Sequence, residues 1–284
     1  MERASAQFTV NKTRPVLSSK LLLDREEVHR GHLLLVNAAN PVQSAKEAVA
    51  LSPVTAVDRV HTIDPAIELE TTCLRQLTAL LSAVQASDDI IVVSGYRPQE
   101  EQQAIYEGSL RDNGPEYTAS YVALPGRSEH QTGLAVDVGE RKAGELDFIA
   151  PSFPDDGKCL DFKQTAARYG FVQRYQEGKR ALTGIACEPW HYRYVGTPHA
   201  QGMERLGYCL EEYIEYVKKF DFSGEWLQLD SDIEEASAYY VRAMETGQTE
   251  IPLPVSGRCQ VSGNNVDGYI VTVYRNDDHA TEGS

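Results

Sequence analysis

The strongest constraint on this chain is a strand whose two faces do not match. Residues 134–138, Leu-Ala-Val-Asp-Val, alternate in the manner of a buried strand. Leu134, Val136 and Val138 fall on one face, and Gly133, Ala135, Asp137 and Gly139 fall on the other. A core face is filled with bulk, because protein interiors pack as densely as organic crystals. A face of small residues around one carboxylate reads instead as the floor of a site. His130 lies seven residues before Asp137, across a turn at Thr132-Gly133, and can swing back to that floor.

A second segment follows the same logic. Residues 190–195 read as a strand with His191, Arg193 and Val195 on one face and Trp190, Tyr192 and Tyr194 on the other. Strict strand geometry would set Glu188 and His191 on opposite faces. Pro189 lacks a ladder donor and argues for a turn before the strand, which lets Glu188 approach the same point as His191. The two segments, SEHQTGLAVD and EPWH, therefore supply two imidazoles, His130 and His191, and, in Asp137 and Glu188, one carboxylate able to bind a cation and one left over. A catalytic zinc site needs three protein ligands, an open position for water and a nearby base for the water's proton. A base must stay off the metal to shuttle that proton. A histidine by itself is most often a core or surface residue, and His29, His32, His61, His199 and His279 are read that way.

At these residues the chain resembles the zinc D-alanyl-D-alanine peptidases of the VanX, VanY and VanXY type. A third block, Val93-Ser94-Gly95-Tyr96-Arg97, matches the SGYR element of that family. The resemblance runs from about Leu33 to Phe220 and is strongest to the bifunctional VanXY-like members. It implies that His130, Asp137 and His191 hold Zn2+, that Glu188 is the catalytic base, and that Arg97 stabilises the oxyanion. It implies that Ser128 hydrogen-bonds the substrate. Gln102, Tyr106, Gln131 and Arg193 are further candidates for the pocket wall. The setting of Arg97, after the apolar run Ile90-Ile91-Val92-Val93 and before Pro98, argues against a surface salt bridge.

The activity so implied is hydrolysis of D-Ala-D-Ala, as the free dipeptide, as the terminus of peptidoglycan precursor peptides, or both. In a cell exposed to glycopeptide antibiotics this would remove the drug's target. Two alternatives stand beside it. An L,D-carboxypeptidase or peptidoglycan endopeptidase of the same fold shares the zinc motifs and differs in pocket shape. A noncatalytic wall-peptide binding module would lack the base or a ligand, and here all four residues are present. If both dipeptide and peptide terminus are accepted, the site needs an open groove. The polar residues 112–127, punctuated by Gly and Pro, are its expected mobile wall.

Composition excludes other classes. A net charge of −15 argues against nucleic-acid partners. No stretch approaches the roughly 20 apolar residues of a membrane span, and the N-terminus lacks the apolar core of a signal peptide. A cytoplasmic location is expected, or a cell-surface one if an N-terminal anchor has been lost. The five cysteines lack CxxC spacing and read as free thiols, with Cys187 beside Glu188 taken as a structural one.

The expected fold is α+β, with helices packed around a small, mostly antiparallel sheet that carries the zinc site, and a C-terminal helix-and-hairpin appendage. Residues 1–30 form a lead-in, 31–222 the catalytic domain, 223–275 the appendage and 276–284 a disordered tail. Within this frame, residues 33–36 read as a short strand, and Asp64-Pro65 opens a helix reaching about Val84. Residues 230–244 read as one amphipathic helix, followed by a hairpin around Gly263-Asn264-Asn265. A hairpin alone is marginal, so the appendage is expected to dock by covering a sheet edge rather than to bind a partner or form a dimer contact.

Overall fold

The computed structural model describes residues 17–43, 49–141, 147–229, 231 and 234–275. Its centre is a five-stranded sheet in the order His61–Thr62, Ile90–Ser94, Ala135–Glu140, His191–Tyr194, Phe171–Gln173. Every pairing is antiparallel except that of the first two strands. One face of this sheet is apolar. Leu134, Val136, Val138, Tyr192 and Tyr194 pack there against Leu74, Leu77, Leu80 and Leu81 of helix Thr71–Ala83 and Phe162 of helix Gly157–Thr165. The opposite face is left for Asp137 and His191. The α+β expectation and the mismatched faces of residues 133–139 both hold.

The helix expected from Asp64-Pro65 begins later, at Thr71. Glu68–Glu70 is spent on an antiparallel pairing with Leu51–Pro53, and the Glu70 carboxylate then caps the helix by accepting from the Cys73 amide at 2.8 Å. Two glycines make the close approaches that the site requires. Gly133 turns the chain into the central strand at φ +69°, where an added Cβ would lie 2.9 Å from Leu51 and 3.0 Å from the Glu70 amide. A Cβ on Gly95 would lie 2.4 Å from the Glu68 carbonyl.

The C-terminal region departs from expectation. No helix spans residues 230–244. Ala236–Arg242 is a strand, in full antiparallel register with Gly268–Tyr274. With Arg258–Gly263 and Leu227–Leu229 it makes a four-stranded sheet. Tyr239, Tyr240 and Val241 favour a pleated, half-buried surface, and Tyr239 is locked under Phe222 and Trp226 at ring distances of 5.3 and 4.8 Å. This sheet does not extend an edge of the central one. It packs by Leu227, Leu229, Ala238 and Ile270 on helices Thr197–Leu206 and Leu210–Val217. His199 ties the layers together, between the Tyr213 hydroxyl at 2.8 Å and the Thr272 hydroxyl at 2.7 Å.

The lead-in also differs. Leu17–Leu23 is a strand paired with Thr249–Pro254. Residues 33–36 form no strand; they are an extended strap whose polar groups bond to the C-terminal sheet. Residues 1–16, the expected tail 276–284 and His279 lie outside the described residues. Among the described residues no helix is long and apolar enough to cross a membrane.

Candidate active site

Strand register assembles the site. Asp137 sits opposite His191 on one neighbouring strand and opposite Ser94 on the other. His130 reaches the same point from the 3-10 turn Glu129–Thr132. His130, Asp137 and His191 are buried, and their ligand atoms all lie within 4.8 Å of one another. Asp137 faces His130 Nε2 at 3.1 Å through Oδ2 and His191 Nδ1 at 2.9 Å through Oδ1.

The protons on these rings follow from their partners. His130 Nδ1 lies 2.7 Å from the Gly95 carbonyl, which can only accept, so Nδ1 carries the hydrogen and Nε2 presents a bare lone pair. Burial, together with Arg97, lowers the pKa of His130 despite Asp137 and keeps the ring neutral. Burial alone would raise Asp137, but His130 and His191 outweigh it and hold the carboxylate well below its usual range. Burial would lower His191, but Asp137 and Glu129 outweigh it and raise the ring to about 10. Ligation of a cation through Nδ1 would take the place of that proton. Two imidazole nitrogens and one carboxylate oxygen, converging in a buried pocket, fit the His/Asp ligand chemistry of catalytic zinc.

Glu188 stands beside this triad without joining it. The turn at Pro189-Trp190 brings its Oε2 to 3.8 Å from His191 Nδ1, on the same side. Burial pushes Glu188 up to about 8, with Asp137 adding to the rise and His191 opposing it. A carboxyl so poised can both take and return a proton near neutral pH. Arg97 also borders the triad. Its Nη2 donates to Ser94 Oγ at 2.7 Å, its Nη1 to Gln102 Oε1 at 2.8 Å, and it lies 3.9 Å from Asp137 Oδ2. Its buried Nε has no partner.

These groups line an open cleft. Ser128 and Gln102 lie on its wall; Gln102 also donates to the Ala123 carbonyl at 2.8 Å and so braces Arg97. Tyr106 and Gln131 are not on the wall. In helix Gln99–Asp112, Gln102 and Ile105 line the cleft and Tyr106 does not. Gln131 is half-buried in the 3-10 turn, and its Oε1 is buried without a hydrogen-bond partner. Arg193 is fully buried behind His191 rather than in the cleft. The expected mobile wall is partly helix: Gly114–Tyr121 is helical, and Tyr121, Val122 and Ala123 line the cleft. All five cysteines are free thiols, and Cys187 is half-buried against Gln173.

Sequence reasoning missed Tyr175, Phe148 and Trp190, which give the cleft its aromatic wall, and Glu129 with Arg174. Glu129 Oε1 accepts from Arg174 Nε and Arg193 Nη1, both at 2.8 Å. Charged side chains are almost never fully buried unless paired, and the only local signal was a Glu standing directly before His130.

A profile of the VanY family, described as D-alanyl-D-alanine carboxypeptidase, matches residues 66–197. The bifunctional D-Ala-D-Ala dipeptidase and D-Ala-D-Ala carboxypeptidase VanXYC of Enterococcus gallinarum is 41% identical over 187 residues, which are 65% of this chain and 94% of that one. This chain belongs to the VanY family. The crystal structure of the vancomycin-resistance D,D-dipeptidase VanXYg, in complex with a D-Ala-D-Ala phosphinate analogue, matches at a TM-score of 0.84 and 42% identity, over 90% of this chain and 99% of that one. A mutant of the D,D-pentapeptidase VanY from the VanB-type resistance cassette, in complex with Zn(II), matches at a TM-score of 0.53 and 31% identity, over 64% and 98%. The VanXYg likeness reaches well beyond the segment matched by the VanY family profile.

Proposed function

We propose that this chain is a zinc-dependent D,D-peptidase. It hydrolyses D-Ala-D-Ala as the free dipeptide, as the C-terminus of peptidoglycan precursor peptides, or both. The observation that carries the reading is the separation of roles in the cleft: three converging ligand atoms, with a fourth side chain, the acid Glu188, close by but outside the triad. VanY-family membership and the likeness to proteins of D,D specificity support the substrate class.

His130 Nε2, Asp137 and His191 Nδ1 would hold the zinc, which supplies a Lewis acid for the scissile carbonyl and for water. Glu188 takes the proton of the attacking water on a carboxylate oxygen and delivers it to the leaving amine. Arg97, fixed by Ser94 and Gln102, directs its guanidinium at the negative charge that develops on the carbonyl oxygen. Ser128 offers a hydroxyl to the substrate backbone. Loss of the terminal D-Ala would remove the target of glycopeptide antibiotics, which connects this reading to the resistance role of its relatives.

The test is alanine release by the zinc-loaded protein from three substrates: free D-Ala-D-Ala, a muramyl pentapeptide ending in D-Ala-D-Ala, and an L,D-tetrapeptide. Cleavage of one or both D,D substrates supports the proposal. Cleavage of the tetrapeptide alone would overturn it in favour of an L,D-carboxypeptidase.

A further inference from the structure

Behind the triad lies a second layer of charge that the proposed chemistry does not use. Glu129 is 1% exposed, and its Oε1 is saturated by Arg174 and Arg193. Arg174 spends its remaining nitrogens on Glu211, in a two-pronged pair at 2.9 and 2.7 Å. Arg193 spends Nη2 on the carbonyls of His32 and Leu34, at 3.1 and 2.8 Å. Two cations and two anions therefore balance in a cluster of which only Glu211 reaches solvent. The strap that supplies those carbonyls is itself fastened to the C-terminal sheet. The Leu33 amide donates to Ser262 Oγ at 2.9 Å, and Asn265 Nδ2 donates to the Leu35 carbonyl at 2.9 Å.

One oxygen of this cluster is left over. Glu129 Oε2 is buried without a hydrogen-bond partner, and so is His191 Nε2. The two face each other at 3.6 Å. His191 thus lies between two carboxylates, with Nδ1 toward Asp137 and Nε2 toward Glu129. Buried polar atoms are nearly always hydrogen-bonded, so these two unpaired atoms, facing each other, are each other's nearest candidates for a partner. A metal-binding imidazole characteristically donates its second N–H to a carboxylate or carbonyl, which fixes the tautomer and the ring orientation. His130 has such a partner in the Gly95 carbonyl.

We propose that Glu129 is the positioning residue of His191: in the metal-loaded site its Oε2 accepts the Nε2–H hydrogen and so leaves Nδ1 bare toward the metal point. Arg174 and Arg193 keep Glu129 an anion and hold it in place. Through Arg193 and the strap, the C-terminal sheet becomes part of the scaffold of the metal site. The inference rests on the proposed reading of His191 as a metal ligand through Nδ1.

The experiment uses the full chain, 15N-labelled at histidine and loaded with zinc. Long-range proton–nitrogen NMR should show opposite tautomers at the two histidine ligands: Nδ1–H on His130 and Nε2–H on His191, the latter a downfield hydrogen protected from exchange. Glu129→Gln should move that resonance and weaken zinc binding about 10–100-fold in a chelator competition. A purely structural Glu129 would lower the melting temperature but leave the zinc affinity of the folded protein unchanged, and that result overturns the proposal. If the variant does not fold, the wild-type spectrum decides: a bare Nε2 on His191 in a protein holding zinc overturns the role of Glu129 and spares the metal site. Failure of the wild-type protein to bind zinc overturns both.

Discussion

The two sheets of this protein are built on opposite rules. The central sheet sets a polar row on one face: Ser94, Asp137 and His191 stand side by side across three strands, all buried. The C-terminal sheet buries apolar and aromatic side chains on both sides, with Ala238 and Ile270 toward the helices and Tyr239, Tyr269 and Val271 toward the N-terminal strand layer. The first is costly to assemble, because buried ionisable groups must all find partners. The second is ordinary hydrophobic packing. The comparison teaches where stability and chemistry reside, and it can be broken by substitutions on either side.

The largest effect belongs to the polar face. His130→Ala removes one of the three proposed ligands, so metal analysis should find the zinc lost, and D-alanine release should fall to the uncatalysed level. Retention of zinc and turnover would remove His130 from the site. Arg97→Ala comes next. Removal of one preorganised donor for a developing oxyanion costs about 10²–10³-fold in kcat, and zinc content should stay near that of the parent because Arg97 is not a ligand.

The sequence made the polar face legible and the C-terminal sheet not, for a physical reason. Metal chemistry restricts identity: only a few residue types can stand at 130, 137, 188 and 191, so four residues in two short segments carry a specific signal. Strand register then does the rest, since Asp137 and His191 pair directly. Glu129 was hidden because its partners lie 45 and 64 residues away and no local spacing announces them. Residues 230–244 misled for another reason. Asp, Glu and Ala early in the stretch suit a helix, and only tertiary packing, Tyr239 under Trp226 and the ladder to Gly268–Tyr274, selects the strand.

The apolar side of the comparison predicts a different kind of damage. Ile270→Ala should cost about 2–5 kcal/mol of stability, seen as a lower urea midpoint, while kcat of the folded protein at low temperature stays close to the parent's. A collapse of kcat without loss of stability would mean that this sheet takes part in the chemistry directly.

A smaller effect separates the two regions by pH. Burial alone would raise Glu129, but Arg174 and Arg193 outweigh it and hold the carboxyl well below its ordinary 4.5. A depressed folded-state pKa gives stability that is fully present above the unfolded value and lost as pH falls through the folded one. The melting temperature should therefore drop as pH is lowered below about 4.5, and Glu129→Gln should flatten that acid limb. An unchanged limb in the variant would show that the charge cluster does not set acid stability.

The central claim is that ligation and proton transfer are divided between different side chains. It is tested most directly by measuring zinc content and D-alanine release side by side in Glu188→Ala and the parent. The account predicts about one zinc per chain in both, with kcat on D-Ala-D-Ala reduced about 10²–10⁴-fold in the variant. Loss of zinc in step with activity would make Glu188 a ligand, and full activity without it would leave the site with no assigned base; either result contradicts the account.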